Sequence, residues 1–392
     1  MLRAFAVALA GLVLFAPTRA SAYPWMIRHG YTACAPCHSD PSGSGPLTAY
    51  GRAIGDSILS TKLGPESKDA ADTSGFLFGL VRTPDWLELG GDVRAALLRS
   101  KVAGVPEQRR TILMQADLSA TISVKRFIAS ATGGYAHEGA LGAAVTRGTQ
   151  DNFVSREHWL GYGLGEDSTL LLRAGRMNLP FGIRNIEHTL WARALTSTNI
   201  DDQQQFGLAF AWNAGVLRGE LMAIAGNFQL RPDDYRERGY STYIEAAVTP
   251  QLALGASSLA THRSLSPSTL TETWRQAHGV HARYATPWNP LVLLAECDYT
   301  LVSSREQLWR KGFVGYAQAD LEAAQGVHFL ITGEGQNVGV QGPPASWGLW
   351  LSYNWFFLPH SDLRLDGIYQ SLGSNFGRVS AYTLLLQAHV YL

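Results

Sequence analysis

The sequence predicts an all-β fold: a transmembrane antiparallel β-barrel of about 16 strands, preceded by a small N-terminal domain. Three observations carry that expectation. From Trp86 to Leu392, segments of ten to fifteen residues alternate apolar and polar side chains, the period of a strand with two different faces. Only 16% of residues are charged, 40 are glycine and 11 are tryptophan. Past residue 22, no apolar run reaches the ~18 residues that a spanning helix needs. A closed barrel is the other structure that satisfies its backbone in lipid. Connections between segments alternate long and short, as loops outside and turns in the periplasm would.

The N-terminus reads as a targeting segment, residues 1–22. Arg3 gives a positive start, Ala4 to Ala16 is apolar, Pro17 breaks the run, and Ala20-Ser21-Ala22 offers a cleavage site. The mature chain then falls into residues 23–58, which hold a cysteine pair, a polar linker at 59–85, and the barrel at 86–392. Strands are expected to start near 86, 110, 126, 154, 168, 204, 216, 240, 251, 272, 290, 311, 326, 345, 361 and 379. Long connections fall at 100–109, 137–153, 179–203, 228–239, 263–271, 304–310, 337–344 and 372–378. An even strand count returns both barrel ends to the periplasm and places the chain in the bacterial outer membrane, with membrane lipid as its solvent.

Four segments show the alternation best. Ile112, Met114, Ala116, Leu118, Ala120 and Ile122 share a face, as do Leu291, Leu293, Ala295, Cys297, Tyr299 and Leu301. Trp347 to Phe357 and Tyr382 to Leu392 repeat the pattern. Cys297 therefore reads as an inert wall residue facing lipid. Glu88, Asp92, Arg94, Arg275, His281, Arg283, Glu296, Asp298, Asp320, Glu322, Glu334, Arg364 and Asp366 are expected to face inward. Carboxylates and histidine there suit a hard cation, but every porin interior carries such charges. The 179–203 connection, with Arg184, Glu187, His188, Trp191, Arg193, Asp201 and Asp202, is long enough to fold into the lumen. The formal net charge is zero, which gives no electrostatic case for nucleic acid.

Cys34-Ala35-Pro36-Cys37-His38 is the sharpest motif. C-x-x-C-H is the attachment pattern of haem c: Cys34 and Cys37 form thioethers, and His38 ligates the iron. A redox C-x-x-C pair with an incidental histidine is the competing reading, and exported context favours one covalently bound haem c. The second axial ligand falls to His29, the favoured residue, or to Met26, with His188 from the barrel loop a third candidate.

The stretch Tyr23 to Arg52 resembles the haem segment of fused monohaem cytochrome–porins of the outer membrane, a family that includes iron oxidases. The matching parts are Arg28 and Gly30, the CAPCH core, Pro46-Leu47-Thr48 and Tyr50-Gly51-Arg52. The segment between His38 and Pro46 is longer and richer in Gly and Ser than is usual there. The resemblance implies electron transfer through a single haem c fused to a porin-like barrel. Ferrous iron would be the external donor and a soluble periplasmic cytochrome the carrier. A diffusion porin with a redox-sensing or gating haem plug is the alternative, as is a conduit for an external redox partner other than iron.

Overall fold

The computed structural model describes residues 23–61, 75–136, 152–165, 169–185, 187, 189–200, 203–266, 270–288, 290–304, 307–337, 339 and 343–392. The targeting segment, His188, Asp201 and Asp202 lie outside the described residues, as does most of the polar linker.

Sixteen antiparallel strands pair in chain order and close into a barrel. They are β1 Leu87–Val102, β2 Gln108–Val124, β3 Phe127–Ala136 and β4 Asn152–Leu164. Next come β5 Leu170–Met177, β6 Gln205–Ala214, β7 Leu217–Gly226 and β8 Arg238–Thr249. The third quarter is β9 Leu252–Arg263, β10 Thr273–Ala285, β11 Leu291–Ser304 and β12 Gln307–Ala324. The last is β13 Val327–Asn337, β14 Ser346–Leu358, β15 Ser361–Ser374 and β16 Gly377–Tyr391. Every observed start lies within four residues of the expected one. β1 pairs with β16 from Asp92↔Tyr391 to Val102↔Ala381, so no ladder edge faces lipid.

The alternation sorts side chains as expected. Leu118, Leu160, Leu208, Val280 and Leu351 are exposed on the outer wall, whereas Asp117, Arg173, Glu296, Asp320, Glu334 and Asp366 are buried within. An outer wall of this kind is stable only against hydrocarbon, so the barrel sits in the bilayer. Cys297 lies on the outer face of β11, as expected, and is exposed.

Two local details differ from the expectation. Arg94 pairs with Gln115 and Ala95 with Leu113, which leaves Met114 as the extra residue of a β-bulge. A bulge reverses the face beyond it, so Leu113, Thr111 and Arg109 point outward and Ile112 inward. The second concerns the connections expected at 304–310 and 372–378. β11 runs on to Ser304 before β12 begins at Gln307, and β15 to Ser374 before β16 begins at Gly377. Pairing continues past the point where the hydrophobic alternation ends, because ladder bonds do not require apolar side chains.

The lumen is filled, and two inserts fill it. Residues 23–61 enter from the short-turn end, where Arg28 donates to the Pro290 carbonyl at 3.5 Å and Gln325 donates to the Ser57 and Ser60 carbonyls at 3.0 and 2.8 Å. His360, in the β14–β15 turn, pairs with Asp56 at 3.0 Å. The turn glycine Gly326 has φ +73°, and a Cβ there would overlap the Leu59 carbonyl, so the plug lies directly against this turn. The β5–β6 connection enters from the other end and carries α2, Trp191–Thr196. The two inserts share one apolar core: Trp25, Met26 and Ile27 from the plug meet Ile183, Leu190 and Ala192 from the loop, against Trp350 and Phe356 of the wall. Burial of side chains such as Met26 and Ile27 contributes ~1.5–3 kcal/mol each, which offsets the entropy of ordering the plug.

Candidate cofactor site

The plug is short of regular structure, and its shape is set by turns and caps. Pro24 opens a 3₁₀ turn, Pro24–His29, which ends at Gly30 in the left-handed region at φ 81°. The cysteine motif closes a helical turn, in which the backbone N–H groups of Cys37 and His38 both donate to the Cys34 carbonyl at 3.0 Å. The Thr48 side chain accepts from Gly51 N–H at 3.0 Å and caps α1, Ala49–Ile54. It also donates to the Pro36 carbonyl at 2.7 Å, which ties the helix to the motif. Gly51 must be glycine, because a Cβ would overlap the Cys37 carbonyl oxygen.

These constraints bring Cys37, His38 and Met26 to one cavity of about 240 Å³. Cys34 lines a neighbouring cavity that shares Tyr23, Gly43, Ser44, Asn178 and Ile200 with the first. Cys34 and Cys37 are free thiols. Burial, then the adjacent Cys34, pushes the Cys37 thiol up to about 11. Neither ring nitrogen of His38 reaches a partner at hydrogen-bonding geometry, although both are shielded from solvent. Burial pushes its pKa down to about 4, outweighing the Asp40 charge and the Gly45 backbone, which act upward. Ring nitrogens shielded from solvent and left unpaired are costly, and such an atom points to a missing partner. A neutral ring with a free lone pair beside two free thiols is the donor set that a thioether-linked haem requires.

The two residues that the sequence offers as a second axial ligand, Met26 and His29, are placed differently. Met26 is 2% exposed and lines the His38 cavity. His29 lies at the barrel wall, where its Nε2 is 3.2 Å from Glu322, itself 2.6 Å from Arg28. The cavity also has walls that sequence reasoning did not assign to it. Arg94, Gln115, Arg156, His389 and Tyr391 come from strands, and Asn178, Ile200 and Gln204 from the inserted loop. Inward parity alone could have nominated the strand residues; nothing local distinguishes the loop residues.

The expected inward carboxylates are present, and several of them anchor the loop. Glu296 accepts from Ile183 N–H at 2.7 Å and from Arg193. Glu334 accepts from Trp191 N–H at 2.9 Å, and Glu187 of the loop pairs with Arg364 at 2.8 Å. Among the described residues, no group of three or more His, Cys, Asp or Glu is placed to hold a metal ion.

Solved outer-membrane barrels superpose on most of this chain. OmpT of Vibrio cholerae superposes with a TM-score of 0.59 at 11% identity, over 80% of this chain and 100% of its own. The outer-membrane channel DcaP of Acinetobacter baumannii gives 0.57 at 10%, over 80% and 99%. An anion-selective porin from Comamonas acidovorans gives 0.56 at 13%, over 78% and 99%. The barrel has the porin fold. No protein-family model matches the chain, and no curated protein matches it by sequence. At these identities the likeness is one of fold, and the plug has to be read from its own residues.

Proposed function

We propose that this chain is a plugged outer-membrane barrel that carries one covalently attached haem c inside its lumen and passes electrons between an external donor and a periplasmic carrier. The observation that carries the reading is His38, half-buried with both ring nitrogens shielded from solvent and unpaired, in a cavity that also takes Cys37 and Met26. Cys34 and Cys37 would supply the thioether sulfurs, His38 the proximal ligand and Met26 the distal one, since His29 is engaged by Glu322. Haem supplies reversible one-electron chemistry when bound. The chain's part is to hold it: Thr48 and Gly51 fix the motif, and the apolar core of plug and loop keeps bulk water away. A single site on the periplasmic side would leave most of the ~25 Å apolar band uncrossed. That difficulty is eased by the inserted loop, whose Asn178, Ile200 and Gln204 line the same cavity from the opposite end.

Ferrous iron is the donor suggested by the resemblance of Tyr23–Arg52 to iron-oxidising members of the cytochrome–porin family. A second reading, a diffusion porin with a haem plug that gates it, is favoured by the porin and channel titles of the structural neighbours. Two measurements on the membrane-extracted protein separate them: stopped-flow haem reduction by ferrous iron, and salt conductance in planar bilayers. Rapid reduction with little conductance supports the conduit. Conductance that tracks the redox state, without turnover, supports the gated porin. A mature protein that takes up no covalent haem in a host with the maturation machinery would sink both.

A further inference from the structure

The upper outer wall at the barrel closure carries a cluster of cations that the lumen chemistry does not use. On β1, Arg94 and Ala96 turn inward, so Val93, Leu97, Arg99 and Lys101 alternate outward. On β2, the bulge at Met114 turns Arg109 outward, directly opposite Arg99. Glu107 is the one carboxylate among the described residues in contact with this cluster, 2.9 Å from Arg99 and 2.8 Å from Arg109. Arg99 and Arg109 remain 58% and 73% exposed. Like charges directly opposite on paired strands destabilise a sheet. One carboxylate against three cations leaves the rim with net positive charge.

Its height on the barrel decides what that charge meets. Arg99 pairs with Leu384 and Lys101 with Tyr382, and both partners are exposed on the outer face of β16. Below them Leu386 on β16 and Leu97 on β1 continue the apolar wall. The cations therefore begin where the apolar band ends, beside a tyrosine of the interfacial girdle. They lie at the loop end, which is the outer leaflet. Anionic groups at that depth are the phosphates of lipid headgroups, and guanidinium forks suit phosphate oxygens.

The geometry points to a binding site on the outer rim of β16–β1–β2 for a phosphorylated lipid headgroup of the outer leaflet, with Arg99, Lys101 and Arg109 as its cations. The headgroup phosphates neutralise the repulsion that Glu107 only partly offsets, while acyl chains pack on Leu97, Leu384 and Leu386.

Native mass spectrometry of the full-length protein in detergent tests this by titration with a bis-phosphorylated outer-leaflet glycolipid, the same glycolipid stripped of phosphate, and inorganic phosphate. The phosphorylated lipid is expected to bind at one per chain, and the stripped lipid at least about tenfold more weakly. Arg99→Ser combined with Lys101→Ser and Arg109→Ser should weaken the phosphorylated lipid by about tenfold or more. Glu107→Gln, which keeps the hairpin and removes the competing carboxylate, should tighten it by about threefold. Equal binding of stripped and phosphorylated lipid overturns the proposal. So does an unchanged affinity in both variants, or displacement of the lipid by millimolar inorganic phosphate, which would mark a free-anion site.

Discussion

Arg173 on β5 donates to the carboxylate of Asp40 in the plug, and both side chains are wholly enclosed. The other amino group of the same guanidinium donates to Glu220 on β7. One wall residue therefore holds the loop after the cysteine motif and pairs with two buried carboxylates at once, the second of which Arg184 also approaches at 3.7 Å. Loss of a single partner from such a set is expensive, because the remaining charges stay buried without compensation.

Arg173→Ala is expected to weaken plug docking by ~3–5 kcal/mol, while Asp40→Asn, which keeps a hydrogen-bonding side chain, costs less. Limited trypsin digestion of the folded protein reads the difference. Cleavage at Arg28 and Arg52 should become fast in Arg173→Ala while the barrel stays intact. Equal protection in wild type and variant would show that the plug is held by its apolar core alone.

Removal of the plug tests whether it blocks the lumen. A chain lacking residues 23–61 keeps all sixteen strands and the inserted loop but loses Trp25, Met26 and Ile27 from the core. Its single-channel conductance should rise several-fold above that of the full chain. An identical conductance would mean that the loop alone sets the resistance.

The barrel was legible because its signals are local. Alternation places a side chain on the outer or inner wall, and turn residues such as Lys125 and Gly326 mark the strand ends. Ile112 lies on the face opposite to the one that alternation gives it, because a bulge leaves no mark in the alternation until its pairing partner is known. The cysteine motif was equally legible, its spacing being short and chemical. What surrounds it was not. Asp40 meets Arg173 across 133 residues and Glu322 meets Arg28 across 294. No local pattern joins such pairs. The roof residues Asn178, Ile200 and Gln204 belong to a connection whose length announced an insertion but whose path depends on Glu296 and Glu334.

Gly51 offers a test of the link between α1 and the cysteine motif. Gly51→Ala puts a methyl group into the Cys37 carbonyl, which forces the helix and the motif apart. Covalent haem per mole of protein should fall sharply, as read by the pyridine haemochrome spectrum of the denatured chain. Gly333→Ala, where a Cβ meets open space on the outer face of β13, should leave that yield unchanged. Equal yields in both variants would mean that attachment precedes packing and is indifferent to it.

Met26 and His29 make opposite predictions about the second ligand of the proposed haem iron. Met26 shares the cavity of His38, whereas His29 is engaged by Glu322 at 3.2 Å. With methionine as ligand, the oxidised protein should show the weak near-infrared sulfur-to-iron band, and Met26→Ala should abolish it. A thioether ligand also holds the reduction potential above that of a bis-histidine site. Met26→His should therefore lower the potential, a shift that a purely packing role for Met26 would not produce. His29→Ala should leave both band and potential in place while loosening the Arg28–Glu322 contact at the periplasmic rim. If His29→Ala instead changed the spectrum and Met26→Ala did not, the plug would have to rotate on maturation to carry His29 from the wall to the iron.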